Sequence, residues 1–347
     1  MKIALVHWRL ANVGGLEQRL RNYLDYFSTQ GHEIVLFCYK QDPNFELPNG
    51  VEVRKVHLGA MPRPYRLWYF NHKLQRVFNA NEFDFSLSLQ RTGQQDACLA
   101  PGDHLGFLKS LRRPGRKPKD IVQINLDKIS FANSKYIFPC SNMVKQNLIE
   151  LYGVPESKMT TLLPPLNTKK FNQILRIERE ALKTKYNMSA DKKTFVIVST
   201  AHRRKGVPLL IKAFRRLKDF PVELKIVGKP KVRTNLSNVE YLGYISDVNE
   251  IYTAADFSIH PAKYEPFGQV ISESLACGTP VLISENTGWS TDLPRDYGNV
   301  VNGLRPKQWA EAIKDVVDQD FSIPENFAQI HELSLEDHMN KMLSVII

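Results

Sequence analysis

Two α/β domains, each built on a doubly wound parallel sheet, are the architecture this sequence predicts, and three observations carry the prediction. At 347 residues the chain is too long for one typical hydrophobic core. Strand and helix patterns alternate through its first half, as a parallel sheet with crossover helices requires, and after a Pro164-Pro165 pair the alternation starts again. Proline disfavours helix in the residue before it and stiffens a short linker, so the pair marks a boundary between domains at 1–165 and 166–331.

The elements follow in order. Ile3–His7 is a short apolar run that reads as a first buried strand; no small-residue cleavage site follows it, so it is not read as a secretion signal. A helix is expected from about Leu16 to Gln30, strands at Glu33–Cys38 and Val51–Lys55, a helix over Tyr65–Asn79 and a strand at Phe83–Leu89. A polar connection, Thr92–Asp96, leads into a loop running to His104. Tyr136–Pro139 reads as a strand ending at Ser141, whose hydroxyl suits the N-cap of a helix over Met143–Leu151. In the second half, Thr194–Ser199, Val222–Val227, Val239–Leu242 and Ala255–His260 read as strands and Pro208–Lys218 as a helix. Another helix starts after Gly268, with Val270, Ile271, Leu275 and Ala276 as its apolar positions. A helix at Pro306–Asp318 and an amphipathic stretch, Ser334–Ile346, close the chain.

Hydrophobic residues make up 43% and charged residues 24%, a balance that excludes a disordered chain, and no run approaches the length of a membrane span. The four cysteines, Cys38, Cys98, Cys140 and Cys277, are far apart and lack C-x-x-C spacing, which argues against disulfides and zinc and fits the cytoplasm. A formal net charge of +11 implies a partner of opposite sign. Nucleic acid, an anionic membrane surface and a phosphorylated glycolipid would each be drawn to the basic run from Lys109 through Arg112, Arg113, Arg116 and Lys117 to Lys119. Nucleic acid fits least, because no recognisable binding module accompanies the charge. The stretch Arg63–Phe70 mixes arginine with Tyr65, Trp68 and Tyr69, a combination that settles at a lipid interface or forms a helix with a buried aromatic face.

Chemistry is expected at strand ends, where open α/β sheets bind ligands. Glu265 falls in a strand-to-helix loop, and Glu273 lies five positions beyond Gly268, roughly 7.5 Å along a helix axis. Between them the amides of Phe267, Gly268, Gln269 and Val270 lack intrahelical partners and can receive phosphate oxygens. A diphosphate docked there would leave one carboxylate for sugar hydroxyls and the other for ribose. The loop Thr200–Gly206 supplies Arg204 and Lys205, with Arg203 in reserve; arginine chelates phosphate and lysine adds a compact charge, which a departing diphosphate needs. Gly14 and Gly15 allow a close backbone approach at the opening of the first helix, beside Glu17. Asp103 and His104 are placed to take a hydroxyl proton or to stabilise positive charge at a reacting carbon. The turn Gly243-Tyr244-Ile245 offers backbone groups and a stacking ring to a nucleobase. No cluster has metal-ligand spacing.

The segment YEPFGQVISESLACGTPVLISE at Tyr264–Glu285, RRKGV after the first strand of the second half, LLPPLN before the linker and Gly14-Gly15 together resemble the family-four retaining glycosyltransferases. They are most similar to its lipopolysaccharide core glucosyltransferases. The resemblance implies a GT-B fold, two Rossmann-like domains facing a central cleft, with the final helix at about 332–347 crossing back to the first domain. It implies that Glu265 holds the donor sugar, Glu273 the ribose, and Arg204 and Lys205 the diphosphate. Gly15 is assigned to the donor diphosphate or the acceptor edge, Glu17 and His104 to the acceptor, and Asp103 to catalysis. The activity implied is transfer of a hexose, with retention, from a nucleotide-diphosphate sugar, UDP-linked, to a glycan or glycolipid, without a metal, at the inner face of the cell membrane. The commoner family form has a glycine before the arginine and places it several residues ahead of the lysine. A noncatalytic nucleotide-sugar or nucleic-acid binding protein on the same scaffold is the rival reading.

Overall fold

A computed structural model describes residues 1–11, 14–62 and 65–346. Asn12 and Val13 of the glycine turn and Arg63 of the aromatic run therefore lie outside the described residues. The chain divides into two units, Met1–Pro164 with Met339–Ile347, and Pro165–His338.

The first unit is organised around β1 (Lys2–Val6), in which Ile3 to Val6 are fully buried, as befits a parallel strand covered on both faces. The two-residue β2 (Arg9–Leu10) precedes α1 (Gly15–Thr29), which buries Leu20, Tyr23, Leu24 and Phe27 at helical spacing. Then come β3 (Glu33–Cys38), β4 (Lys40–Gln41, paired with β2) and β5 (Val51–Lys55), which carry the chain to one edge of the sheet. After α2 (Arg66–Val77) the chain returns to the far side of β1 with β6 (Phe85–Ser88) and β7 (Ala97–Ala100). Helices α3 (His104–Ser110) and α4 (Pro118–Asn133) lead to β8 (Tyr136–Pro139) and α5 (Asn142–Tyr152). Ser141 caps α5 by accepting from the Val144 amide, as its sequence position predicts, and Gly153 ends it in the left-handed conformation. The parallel sheet has the order β5-β3-β1-β6-β7-β8.

One expectation is corrected here, and the basic run, to which the sequence assigns no element, resolves into parts of two helices and the stretch between them. The loop expected up to His104 contains β7, a four-residue strand buried throughout; Ala-Cys-Leu-Ala is too short and too uniform to show alternation. The basic run is not one loop, since Lys109 lies in α3 and Pro118 opens α4 at a position where its missing N–H costs nothing.

The second unit opens with α6 (Arg179–Lys185) and β9 (Lys193–Ser199). It continues through α7 (His202–Lys205), α8 (Val207–Arg216), β10 (Val222–Gly228), β11 (Val239–Gly243), α9 (Val248–Ala254) and β12 (Phe257–His260). Next are α10 (Gln269–Ala276), β13 (Val281–Ser284), β14 (Gly298–Val301), α11 (Pro306–Val316) and α12 (Phe327–Ile330). Last is α13 (Leu335–Ile346), whose residues from Met339 onward group with the first unit. The parallel sheet runs β11-β10-β9-β12-β13-β14. Its core joins Phe195, Ile197, Phe214 and Phe257 to a fully buried Trp309 from α11. The four cysteines are free and buried.

In both sheets successive connections run one way and then reverse. The reversal falls between β1 and β6 in the first unit and between β9 and β12 in the second. At such a switch point neighbouring strands send their connections in opposite directions, which opens a crevice at their carboxyl ends.

Candidate active site

The second switch point gathers the residues that the sequence singles out for the donor. Beyond β9, the basic stretch forms one helical turn, α7, rather than the loop expected; Gly206 ends it at φ +83, and a Cβ there would lie 2.2 Å from the Pro261 carbonyl oxygen. Only glycine lets α7 sit this close to the chain leaving β12. The imidazole of His202 ties the turn down, with Nδ1 3.0 Å from Ser199 Oγ and Nε2 2.6 Å from the Pro230 carbonyl oxygen.

Beyond β12, the Glu265 amide donates to Asn286 and the Gly288 amide donates to the Glu265 carbonyl, which fixes the backbone of this acid against the loop after β13. Its carboxylate accepts from Arg204 Nη1 at 2.8 Å, and Lys205 Nζ lies 3.9 Å from the same oxygen. Arg204 Nη1 also donates to the Tyr264 carbonyl at 2.9 Å. Gly268 caps α10 at φ +92, and the amides of Gln269 and Val270 open the helix, where no intrahelical carbonyl reaches them. Phe267 is buried against Trp289. The two stretches thus bring Arg204, Lys205, Glu265, Gly268, Gln269 and Val270 around one pair of strand ends.

Burial sets the electrostatics. Glu273 sits one turn inside α10, 3.5 Å from the Tyr252 hydroxyl. Burial pushes its carboxyl up to about 7 against the opposing pull of Lys205. The Lys205 ammonium is itself lowered by burial, partly offset by Glu265. His260, fully enclosed and bonded to Ser258 Oγ at 2.6 Å, is lowered to about 3 and stays neutral beneath this charged cluster. Tyr244 lies farther off, at the end of edge strand β11, 64% exposed and with Lys229 Nζ 4.8 Å from its ring centre. His202, Tyr252 and Lys229 carry no motif, and the sequence reading gives them no role.

The residues assigned to the acceptor side all lie in the first unit. Gly15 starts α1, with open space where a Cβ would project, and the Glu17 carboxylate folds back over Gly14 while pairing with Arg9 at 3.6 Å. Asp103 is 2% exposed, caps α3 by accepting from the Gly106 amide, and accepts from Asn147 at 3.1 Å. Both oxygens of this carboxylate accept hydrogen bonds from within the first unit. His104 bonds Asp120 at 3.0 Å. Among the described residues no group of three His, Cys, Asp or Glu side chains is placed to hold a metal.

Comparison with known proteins bears on the whole chain. Residues 178–332 match the model of group 1 glycosyl transferases, and residues 13–170 match that of glycosyltransferase family 4. A Burkholderia thailandensis protein described as a probable transglycosylase is 31% identical over 277 residues, covering 79% of this chain and 75% of that one. The lipopolysaccharide glucosyltransferase WaaG of Escherichia coli is 28% identical over 315 residues, covering 84% and 82%. Among solved structures, WaaG superposes with a TM-score of 0.75 at 18% identity, covering 98% of this chain and 94% of that one. The Anabaena protein HepE, solved with UDP-glucose, gives 0.69 at 16% identity, covering 99% of each chain. With two Rossmann-like sheets, both family models matched in succession and a relative above 30% identity, the chain belongs to the group 1, family 4 glycosyltransferases of the GT-B fold.

Proposed function

We propose that this glycosyltransferase moves a hexose, with retention, from a nucleoside-diphosphate sugar, UDP-linked, to a hydroxyl of a cell-surface glycan or glycolipid, with lipopolysaccharide core as the leading acceptor. The observation that carries the donor class is the convergence of Arg204, Lys205, Glu265 and the opening amides of α10 at one switch point. The diphosphate takes the amides of Gln269 and Val270 and the charges of Arg204 and Lys205, which stabilise it as it departs and stand in place of a metal. Glu265 orients the sugar, Glu273 receives the ribose hydroxyls, and the acceptor oxygen attacks from the face the diphosphate leaves. The 28% identity to a lipopolysaccharide glucosyltransferase supports the acceptor class.

Attachment to the anionic inner face of the membrane belongs to the same reading. Tyr65, at the cap of α2, and Trp68 within it, far away in sequence from α4, line a cavity of about 630 Å³ with Val122, Leu126, Ile129 and Lys128. Arg112, Arg116, Lys117 and Lys119 are exposed nearby in sequence, while the two acids of α4, Asp120 and Asp127, are buried and paired. Apolar side chains with uncompensated cations suit an anionic lipid surface. Among the described residues no helix is long and apolar enough to cross a membrane.

The test is incubation of the purified protein with UDP-, GDP- and ADP-sugars, with and without truncated lipopolysaccharide and with and without EDTA, scored by mass spectrometry. Nucleoside diphosphate release that depends on the acceptor and survives EDTA is expected. Absence of release from every donor would overturn the reading.

A further inference from the structure

Helix α10 opens without a cap of its own. Gly268 stands before it at φ +92 and has no side chain to accept from the first turn, so nothing within the helix fixes where the free amides of Gln269 and Val270 point. The backbone ahead of that turn is laid against the loop that follows β13. Glu265 and Thr287 pair as a parallel bridge, and a Cβ on Gly288 would stand 2.1 Å from the Pro266 carbonyl oxygen and 2.7 Å from Phe267 Cα, so the two backbones are in direct contact. Ser290 closes this loop on itself, its Oγ lying 2.7 Å from the Thr287 carbonyl oxygen and 2.9 Å from that of Glu285.

Trp289, in the middle of the loop, is 4% exposed. Its ring meets Phe267, just before Gly268, with centres 6.1 Å apart, and its Nε1 donates at 3.0 Å to the Oγ of Ser272, in the first turn of α10. One side chain therefore holds both flanks of the turn whose amides are free. Ser272 is fully buried, where a hydroxyl needs a partner, and the indole N–H is one. The indole in turn packs on α12, with the rings of Phe327 and His331 centred 5.8 and 5.2 Å away, and Phe327 has no exposure. A tryptophan that served the core alone would, when lost, weaken every ligand of this unit alike. One that aims the turn would, when lost, weaken only the ligand group that the turn receives.

We propose that Trp289 is a positioning residue for the diphosphate: through Phe267 and Ser272 it sets the direction of the Gln269 and Val270 amides. The inference rests on the reading that puts the donor's diphosphate on those amides, and it names the group that aims them. Glu273, which that reading gives to the ribose, has a separate contact, the Tyr252 hydroxyl of α9 at 3.5 Å, so the nucleoside is held independently of Trp289.

The experiment compares uridine with UDP on the full chain, by calorimetry for UDP and by saturation-transfer NMR titration for the weaker uridine. The unaltered protein should bind UDP more tightly, and the ratio is what the diphosphate contributes. Trp289→Phe keeps a ring and loses the N–H, while Ser272→Ala loses the same bond from its other end; each should lower UDP affinity about fivefold, the worth of one hydrogen bond, with uridine kept within about twofold. The double variant should be no weaker than either single one, because both substitutions remove one interaction. Trp289→Leu, which loses the ring contacts as well, should lower UDP affinity about twentyfold. Should that variant fail to fold, the other three decide. Equal losses for uridine and UDP, or undiminished UDP binding in Trp289→Phe and Ser272→Ala, would overturn the proposal while leaving the donor site in place. UDP bound no more tightly than uridine by the unaltered protein would instead overturn the placement of the diphosphate, and this inference with it.

Discussion

The two sheets share one strand order and one point of reversal, yet what they hold there is opposite in character. Across the second reversal, Arg204 reaches Glu265 at 2.8 Å with Lys205 alongside; across the first, the neutral imidazole of His7 meets the side-chain amide of Gln90 at 3.3 Å. Topology fixes where a ligand can approach and leaves its chemistry to two or three side chains just past the strand ends. The chain's net charge of +11 says nothing about the second site, where the cations Arg204 and Lys205 lie against the acid Glu265.

The largest effect should follow from removing charge at the second reversal. Lys205→Ala should lower turnover about 30- to 1,000-fold, the worth of roughly 2–4 kcal/mol of stabilisation of a departing diphosphate, while thermal unfolding changes little. Arg204→Ala should cost less, because part of its hydrogen bonding goes to the Tyr264 carbonyl. Steady-state rates on the folded variants decide the matter. Unchanged turnover in Lys205→Ala would remove the contrast between the two reversals.

Next in size is the division between the two glutamates. Glu273→Gln should weaken UDP and the UDP-sugar alike, and Glu265→Gln the UDP-sugar only, each by about 1.5–3 kcal/mol, because ribose is common to both ligands and the sugar is not. Calorimetric titration separates the cases. Equal losses for both ligands in both variants would show that the acids do not divide the donor between them.

How much of this was legible beforehand depends on whether a residue's role is local. Both sheets could be read because buried parallel strands such as Val35–Cys38 and Phe195–Ile197 are continuous apolar runs. Strand β7 could not, being four residues long, and α4 was missed because buried Asp120 and Asp127 interrupt its apolar face. The pairing of Glu265 with the basic turn was approachable because each part carries a local motif. His7 and Gln90 are 83 positions apart and carry none, so only the fold joins them. The capping bond of Asp103 could not be told from sequence, because an aspartate before a helix looks the same whether it caps or reacts; the structure shows the Gly106 amide donating to it.

A pH dependence sharpens the comparison at the carboxylate. The Glu273 carboxyl is raised to about 7, so near neutrality it is only half ionised, and ribose hydroxyls donate to the ionised form. UDP affinity should therefore rise about tenfold between pH 6 and 8, and Glu273→Gln should remove that part of the slope. The difference between the two profiles is the quantity to read, since it cancels the nucleotide's own titration. For stability the sign is opposite: a carboxyl raised in the folded state favours folding less as pH climbs from its ordinary range through 7, so Glu273→Gln should gain stability relative to the unaltered protein over that window. A parallel pair of UDP-affinity profiles would show that the carboxyl does not meet the ribose.

The smallest effect is expected away from either reversal. Tyr244 stands at the end of edge strand β11, 64% exposed, with Lys229 over its ring at 4.8 Å. A cation over an exposed ring is worth about 0.5–1 kcal/mol, so Lys229→Ala should weaken UDP two- to fivefold by freeing the ring to move. Tyr244→Phe should cost less still, because a base stacks on the ring face and every base has a face to stack, which also predicts similar losses with UDP and GDP. Calorimetry on both variants tests this. A loss beyond tenfold from Lys229→Ala would mean that the edge of the second sheet contributes as much to binding as its centre, and the switch point would no longer account for where this chain holds its donor.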